Sequence, residues 1–231
     1  MPLSLAVPGL RRATRIERWS LANALVMLGA VGVSVLLESL WPLTLVGVGM
    51  LGVLTGVAFT RWTPSGTFGG ANLLTLLRLA AITGLATLPP DATTLAFGIG
   101  LAVLISDGLD GWLARRYGWA SEFGEFFDKE TDTLFVVLLC TMLALRGDVS
   151  LWMVAAGALR YPFVITLFAA QPDASKEPRS NAARYIYVGF VLGLLGMFVL
   201  DPAWARPLLW CAVAGLLWSF GRSFAWVFRG L

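Results

Sequence analysis

Two almost wholly apolar runs, residues 92–105 and 134–145, enclose a stretch that places four aspartates at fixed offsets: Asp107, Asp110, Asp128 and Asp132. Runs of this kind recur along the chain, and 58% of its 231 residues are hydrophobic. That composition excludes a soluble globule and predicts an all-α integral membrane protein. An ionisable side chain at the end of a membrane helix costs roughly a few kcal/mol unless it is paired, hydrated or bound to a cation, so the aspartates read as functional.

Their spacing predicts where they point. The stretch follows the pattern D-x2-D-G-x2-A-R-x8-G-x3-D-x3-D, carried by Asp107, Asp110, Gly111, Ala114, Arg115, Gly124, Asp128 and Asp132. Helical positions i, i+3, i+4 and i+7 share a face, so Asp107, Asp110, Gly111 and Ala114 form one stripe with Arg115 at its border. Gly124, Asp128 and Asp132, spaced by four, form a second stripe. If the two helices are antiparallel neighbours joined through residues 117–121, all four carboxylates converge. Such a cluster repels itself in a poorly solvated place, and a divalent cation, or two, relieves the repulsion. With no histidine in the chain, an all-oxygen donor set favours Mg2+ or Mn2+ over zinc. Gly111, Ala114 and Gly124 leave room for a flat nucleotide, and Arg115 offers a forked donor to phosphate.

At every defined position this pattern resembles the signature of the CDP-alcohol phosphotransferase family, membrane enzymes that move a phosphoalcohol from a CDP carrier to a hydroxyl acceptor. Asn72, Thr75 and Arg78 likewise resemble the N-x2-T-x2-R opening of that family's first core helix. Read without the family, they are a helix start with a capping asparagine and a snorkelling arginine. The resemblance covers the chain from about Asn72 to its C-terminus. It implies a six-helix catalytic core, metal binding by the four aspartates, and Asp132 as general base toward the acceptor hydroxyl. It also implies CDP binding by Asn72, Thr75, Gly111, Ala114, Arg115, Ser121 and Gly124, and a homodimer.

The rest of the chain fits round that core. Residues 1–19, with Arg11, Arg12, Arg15 and Arg18, form a basic interfacial segment facing cytoplasm and anionic lipid. The run at 21–37 is too long for a signal peptide and lacks a small-residue cleavage site, so a retained helix is expected. With 43–59 it makes an accessory pair, residues 20–62, ahead of the core at 71–231, about eight membrane helices in total. Gly52 and Gly56 suit close helix packing at a dimer face. Core helices are expected up to Leu88, from Thr93 to the motif, through Asp128 to Leu145, over 151–170, over 185–200 and over 208–228. Cys140 and Cys211 are read as buried thiols without a disulfide.

Arg160, in the middle of the fourth core helix, is expensive there and should either neutralise the acid cluster or bind an anionic part of a substrate. Lys176, Arg179 and Arg184 lie in and just beyond the longest polar loop. In the family such residues contact an acceptor phosphate; cytoplasmic positive charge that sets topology is the other reading. The distribution of basic residues places both termini and the active site on the cytoplasmic side of an inner membrane.

One departure from the family pattern concerns the donor. Many phosphatidyl-transferring members have proline or serine after the third aspartate, where this chain has Lys129, and Glu125 is similar to members that use CDP-choline or CDP-ethanolamine. The expected function is transfer from CDP-diacylglycerol to a small polar alcohol with release of CMP, in contact with membrane lipids and with no nucleic-acid partner. A phosphotransferase to diacylglycerol and, from another class, a polytopic transporter are the alternatives.

Overall fold

The computed structural model describes residues 14–170 and 181–229, with the side chains at 110, 111, 114, 181 and 229 left aside. Within them the chain is helical: α1 (Arg15–Leu36), α2 (Trp41–Val57), α3 (Gly70–Leu85), α4 (Thr93–Tyr117), α5 (Glu122–Leu145), α6 (Trp152–Gly157), α7 (Arg160–Ala170), α8 (Asn181–Gly196) and α9 (Pro202–Arg229). Two of them, over Arg15–Leu36 and Pro202–Phe228, are long and apolar enough by length and composition to cross a membrane.

α5 is the central element. It packs against α1, α2, α3, α6 and α8, and from Thr133 to Leu143 every residue is buried. A helix apolar all round belongs in an interior, and here the other helices supply the cover. Large apolar side chains are instead exposed on the periphery, among them Leu25, Leu45, Leu77, Trp204, Leu208 and Trp218. The outer surface of the bundle is therefore suited to an apolar surround.

Helix starts follow local chemistry. Thr14 and Glu17 close a capping box: the Glu17 amide donates to Thr14 Oγ1 (3.1 Å) and the Thr14 amide to Glu17 Oε2 (2.7 Å). α1 consequently begins at Arg15, inside the basic segment, and takes Arg15 and Arg18 into its first turns. It runs parallel to α5. Thr14 Oγ1 meets Glu122 Oε1 at 3.4 Å, and one step deeper Asn23 Nδ2 meets Glu130 Oε2 at 2.8 Å.

Three expectations are corrected. The segment over 151–170 is two helices, parted at Ala158 and Leu159. Pro162 explains the break, because a proline ring clashes with the carbonyl four residues earlier, that of Ala158, and offers it no N–H. The last helix starts at Pro202, not 208, since Asp201 accepts from the Ala203 amide (2.8 Å) and Pro202 suits a first helical position; Pro207 lies inside the helix. Cys140 is buried, but Cys211 is exposed on the outer face of α9. Apart from these, Gly52 and Gly56 have open space beside them within this chain, so that their face stays free for a partner, and within the chain Gly47 makes a close approach to α5: a Cβ there would lie 2.7 Å from Leu134 Cδ1.

Candidate active site

Three helices bring the charged groups together. α3 carries Ala71, Asn72, Thr75, Arg78, Leu79 and Ile82 on its buried face, a 3.6-residue periodicity that turns Arg78 inward between α4 and α5. The guanidinium is 2% exposed. Its Nη1 donates to Asp107 Oδ1 at 2.9 Å and lies 3.2 Å from Asp132 Oδ1, while Nη2 donates to Asp128 Oδ1. One carboxylate oxygen from each of Asp107, Asp128 and Asp132 falls within 4.8 Å of the others.

This geometry fits a hard divalent cation. The donors are oxygens only, they lie close enough for one ion to draw them together, and the three side chains are about a fifth to a third exposed, so the site is open on one side. Three carboxylates against one guanidinium also leave the cluster two negative charges in excess. Arg78 cancels part of the repulsion, and a divalent ion would cancel the remainder.

Around the acids the structure assigns the expected residues varied places. Asn72, buried, donates through Nδ2 to the carbonyls of Phe68 (2.6 Å) and Trp62 (3.2 Å). Ser121 caps α5: its Oγ accepts from the Gly124 amide at 3.0 Å and donates to the Trp62 carbonyl at 2.6 Å. The Trp62 carbonyl thus joins the starts of α3 and α5. Gly124 is tight against this joint, since a Cβ on it would meet Asn72 Oδ1 at 3.0 Å. Thr75 is buried and donates to the Ala71 carbonyl at 3.2 Å. Arg115 is exposed in the last turn of α4. The side chains of Asp110, Gly111 and Ala114, and the residues Lys176 and Arg179, lie outside the described residues.

Arg184 and Arg160 separate. Arg184, exposed on α8, comes near α4: its Nη2 lies 3.9 Å from where a Cβ on Gly108 would stand. Arg160 does not neutralise the aspartates. It opens α7 and its Nη2 donates to Glu130 Oε1 at 2.7 Å. Glu125, the residue similar to CDP-choline enzymes, pairs with Lys129 Nζ at 2.7 Å on the surface of α5.

Three residues matter more here than the sequence indicated. Arg78 is the hub of the acid cluster, a role that one helix's periodicity does not reveal. Glu130 is 3% exposed and holds Arg160 and Asn23; the signal for it was an acid and a mid-membrane arginine that both needed a partner. Tyr187 on α8 is half-buried within the electrostatic reach of Asp132, Asp107, Arg78 and Asp128, and nothing in its local sequence marks it.

Comparison with known proteins converges on this site. A family model described as CDP-alcohol phosphatidyltransferase matches residues 68–218, a span that contains every described member of the acid cluster. The chain is 28% identical over 165 residues to a "Putative cardiolipin synthase" of Mycobacterium tuberculosis (strain ATCC 25618 / H37Rv), covering 68% of this chain and 78% of the relative. It is 37% identical over 89 residues to a "Probable phosphatidylglycerophosphate synthase" of the same organism, covering 36% of this chain and 43% of that one. Over 78 residues it is 44% identical to "CDP-diacylglycerol--glycerol-3-phosphate 3-phosphatidyltransferase 1, chloroplastic/mitochondrial" of Arabidopsis thaliana, covering 30% and 26%. No solved structure matches.

Proposed function

The chain belongs to the CDP-alcohol phosphatidyltransferase family, and on that premise we propose that it transfers a phosphatidyl group from CDP-diacylglycerol to a hydroxyl of a glycerol phosphate unit, releasing CMP. The observation that carries this reading is the convergence of Asp107, Asp128 and Asp132 on the buried Arg78. The name of the Arabidopsis relative, which includes CDP-diacylglycerol and glycerol-3-phosphate, supports this choice of donor and acceptor.

The enzyme is a multi-pass membrane protein of about eight spans, with the accessory pair at 20–62, the catalytic core at 71–231 and residues 1–19 at the interface. The active site and both termini face the cytoplasm of an inner-membrane enzyme that works as a homodimer. The apolar periphery and the parallel course of α1 and α5 favour this arrangement.

In the reaction an acceptor hydroxyl oxygen attacks the phosphorus that bears the diacylglycerol, and the bond from that phosphorus to the CMP oxygen breaks with its electron pair going to CMP. Asp132 takes the proton from the attacking hydroxyl. Asp107, Asp110, Asp128 and Asp132 would hold two Mg2+ or Mn2+ ions, which when bound would neutralise the diphosphate and the charge developing on CMP. Arg78 fixes the directions of the three described carboxylates. Asn72, Thr75, Gly111, Ala114, Arg115, Ser121 and Gly124 line the nucleotide side, with Gly124 and Ser121 setting the approach of α3 to α5. Arg184, near Gly108 on α4, meets the anionic part of the acceptor, with Lys176 and Arg179.

The test is CMP release by the purified protein with Mg2+ or Mn2+. CDP-diacylglycerol and CDP-choline are offered in turn against glycerol 3-phosphate and phosphatidylglycerol. Metal-dependent CMP formation from CDP-diacylglycerol alone is expected, with Asp132→Asn lowering kcat by about a thousandfold, within the usual range for loss of a general base. Turnover of CDP-choline instead would overturn the donor, and an Asp132→Asn enzyme as fast as the wild type would remove the base.

A further inference from the structure

Glu130 sits between Asp128 and Asp132 on α5, yet faces the other way. At about 100° per residue the two aspartates lie roughly 40° apart, and Glu130 points about 180° from their mean direction. Its carboxylate is buried, and each oxygen has one partner from a different helix: Oε1 accepts from Arg160 Nη2 on α7 (2.7 Å) and Oε2 from Asn23 Nδ2 on α1 (2.8 Å). Asn23 is itself buried, and it lies outside the span matched by the family. Tyr161, almost wholly buried beside Arg160, closes the surround.

We propose that Asn23, Glu130 and Arg160 form a clasp that fixes the roll of α5 about its axis, so that the accessory helix α1 positions Asp128 and Asp132. Rotation of α5 would carry the aspartates away from Arg78 and Asp107, and it would have to break hydrogen bonds to two separate helices in a dry interior. Packing holds α5 in place along its length, and a carboxylate held from two sides adds a directional constraint on its roll that one partner alone would not supply. These are positioning residues, and the inference rests on the functional reading given above.

The full chain in lipid nanodiscs separates the alternatives by three readouts: melting temperature, Mn2+ affinity from the electron paramagnetic signal of free Mn2+, and CMP release. Asn23→Ala removes one arm and leaves the ion pair in place. The triple change Asn23→Leu/Glu130→Leu/Arg160→Leu replaces the whole cluster by apolar packing, an exchange that is often neutral or stabilising. In both variants the Mn2+ Kd is expected to rise, and kcat to fall, roughly tenfold, as for lost support of metal ligands, with KM for CDP-diacylglycerol little changed. A triple variant that melts like the wild type but shows these losses supports positioning over stability. Asn23→Ala protein with wild-type Kd and kcat overturns the clasp, whatever the triple variant does. Wild-type protein that neither binds Mn2+ nor releases CMP overturns the functional reading first and this inference with it.

Discussion

Arg78 bears more of the site than any other single side chain, because three carboxylates from two helices are oriented on one guanidinium. Arg78→Gln would leave those carboxylates facing one another; breaking a fully buried ionic cluster costs about 3–5 kcal/mol, and the partial exposure of these acids reduces the loss below that. A fall in melting temperature is expected, with Mn2+ recovering more of it in the variant than in the wild type, because ligand that binds only the folded state stabilises it. Calorimetry with and without the ion checks both. The aspartates were legible in the sequence because a helix converts their offsets into a direction. The hub was not, because Arg78 reaches them across helix boundaries, and Glu130 was not, because its partners lie 107 and 30 residues away.

At the scale of elements, α5 is held by close approaches that tolerate little added volume. Gly47→Val would drive a side chain into Leu134, and overpacking of this kind costs about 1–3 kcal/mol. Pairing it with Leu134→Ala should restore much of the loss, read as a non-additive double-mutant cycle in thermal unfolding. Gly124→Ala presses on Asn72 at the joint of α3 and α5, and a KM increase for CDP-diacylglycerol larger than its effect on melting is the expected signature. The helices from α1 to α5 were legible from apolar periodicity and their punctuation. The break before α7 was hidden because an apolar run continues across it, although Pro162 alone dictates it. The early start of α9 was hidden because Pro207 stands just before the apolar run at 208–228, whereas the Asp201–Pro202 cap decides where the helix begins.

For the whole molecule, α1 and α2 are part of the packing around α5 and not an appendage. Deleting residues 1–67 would uncover α5 and strip Glu130 of Asn23, so the shortened chain is expected to aggregate in detergent; size-exclusion chromatography gives the answer, and a monodisperse, active product would refute it. The apolar exterior predicts that the full chain stays with membranes through an alkaline wash and leaves them only in detergent. The link between Asn23 and Glu130 also sets a timetable for synthesis. At about 5–20 residues per second, roughly 5–20 s pass between the emergence of Asn23 and that of Glu130, and about 2–6 s more before Arg160 follows. α1 is therefore made well before the acid that its Asn23 holds, and the arginine that neutralises that acid comes last.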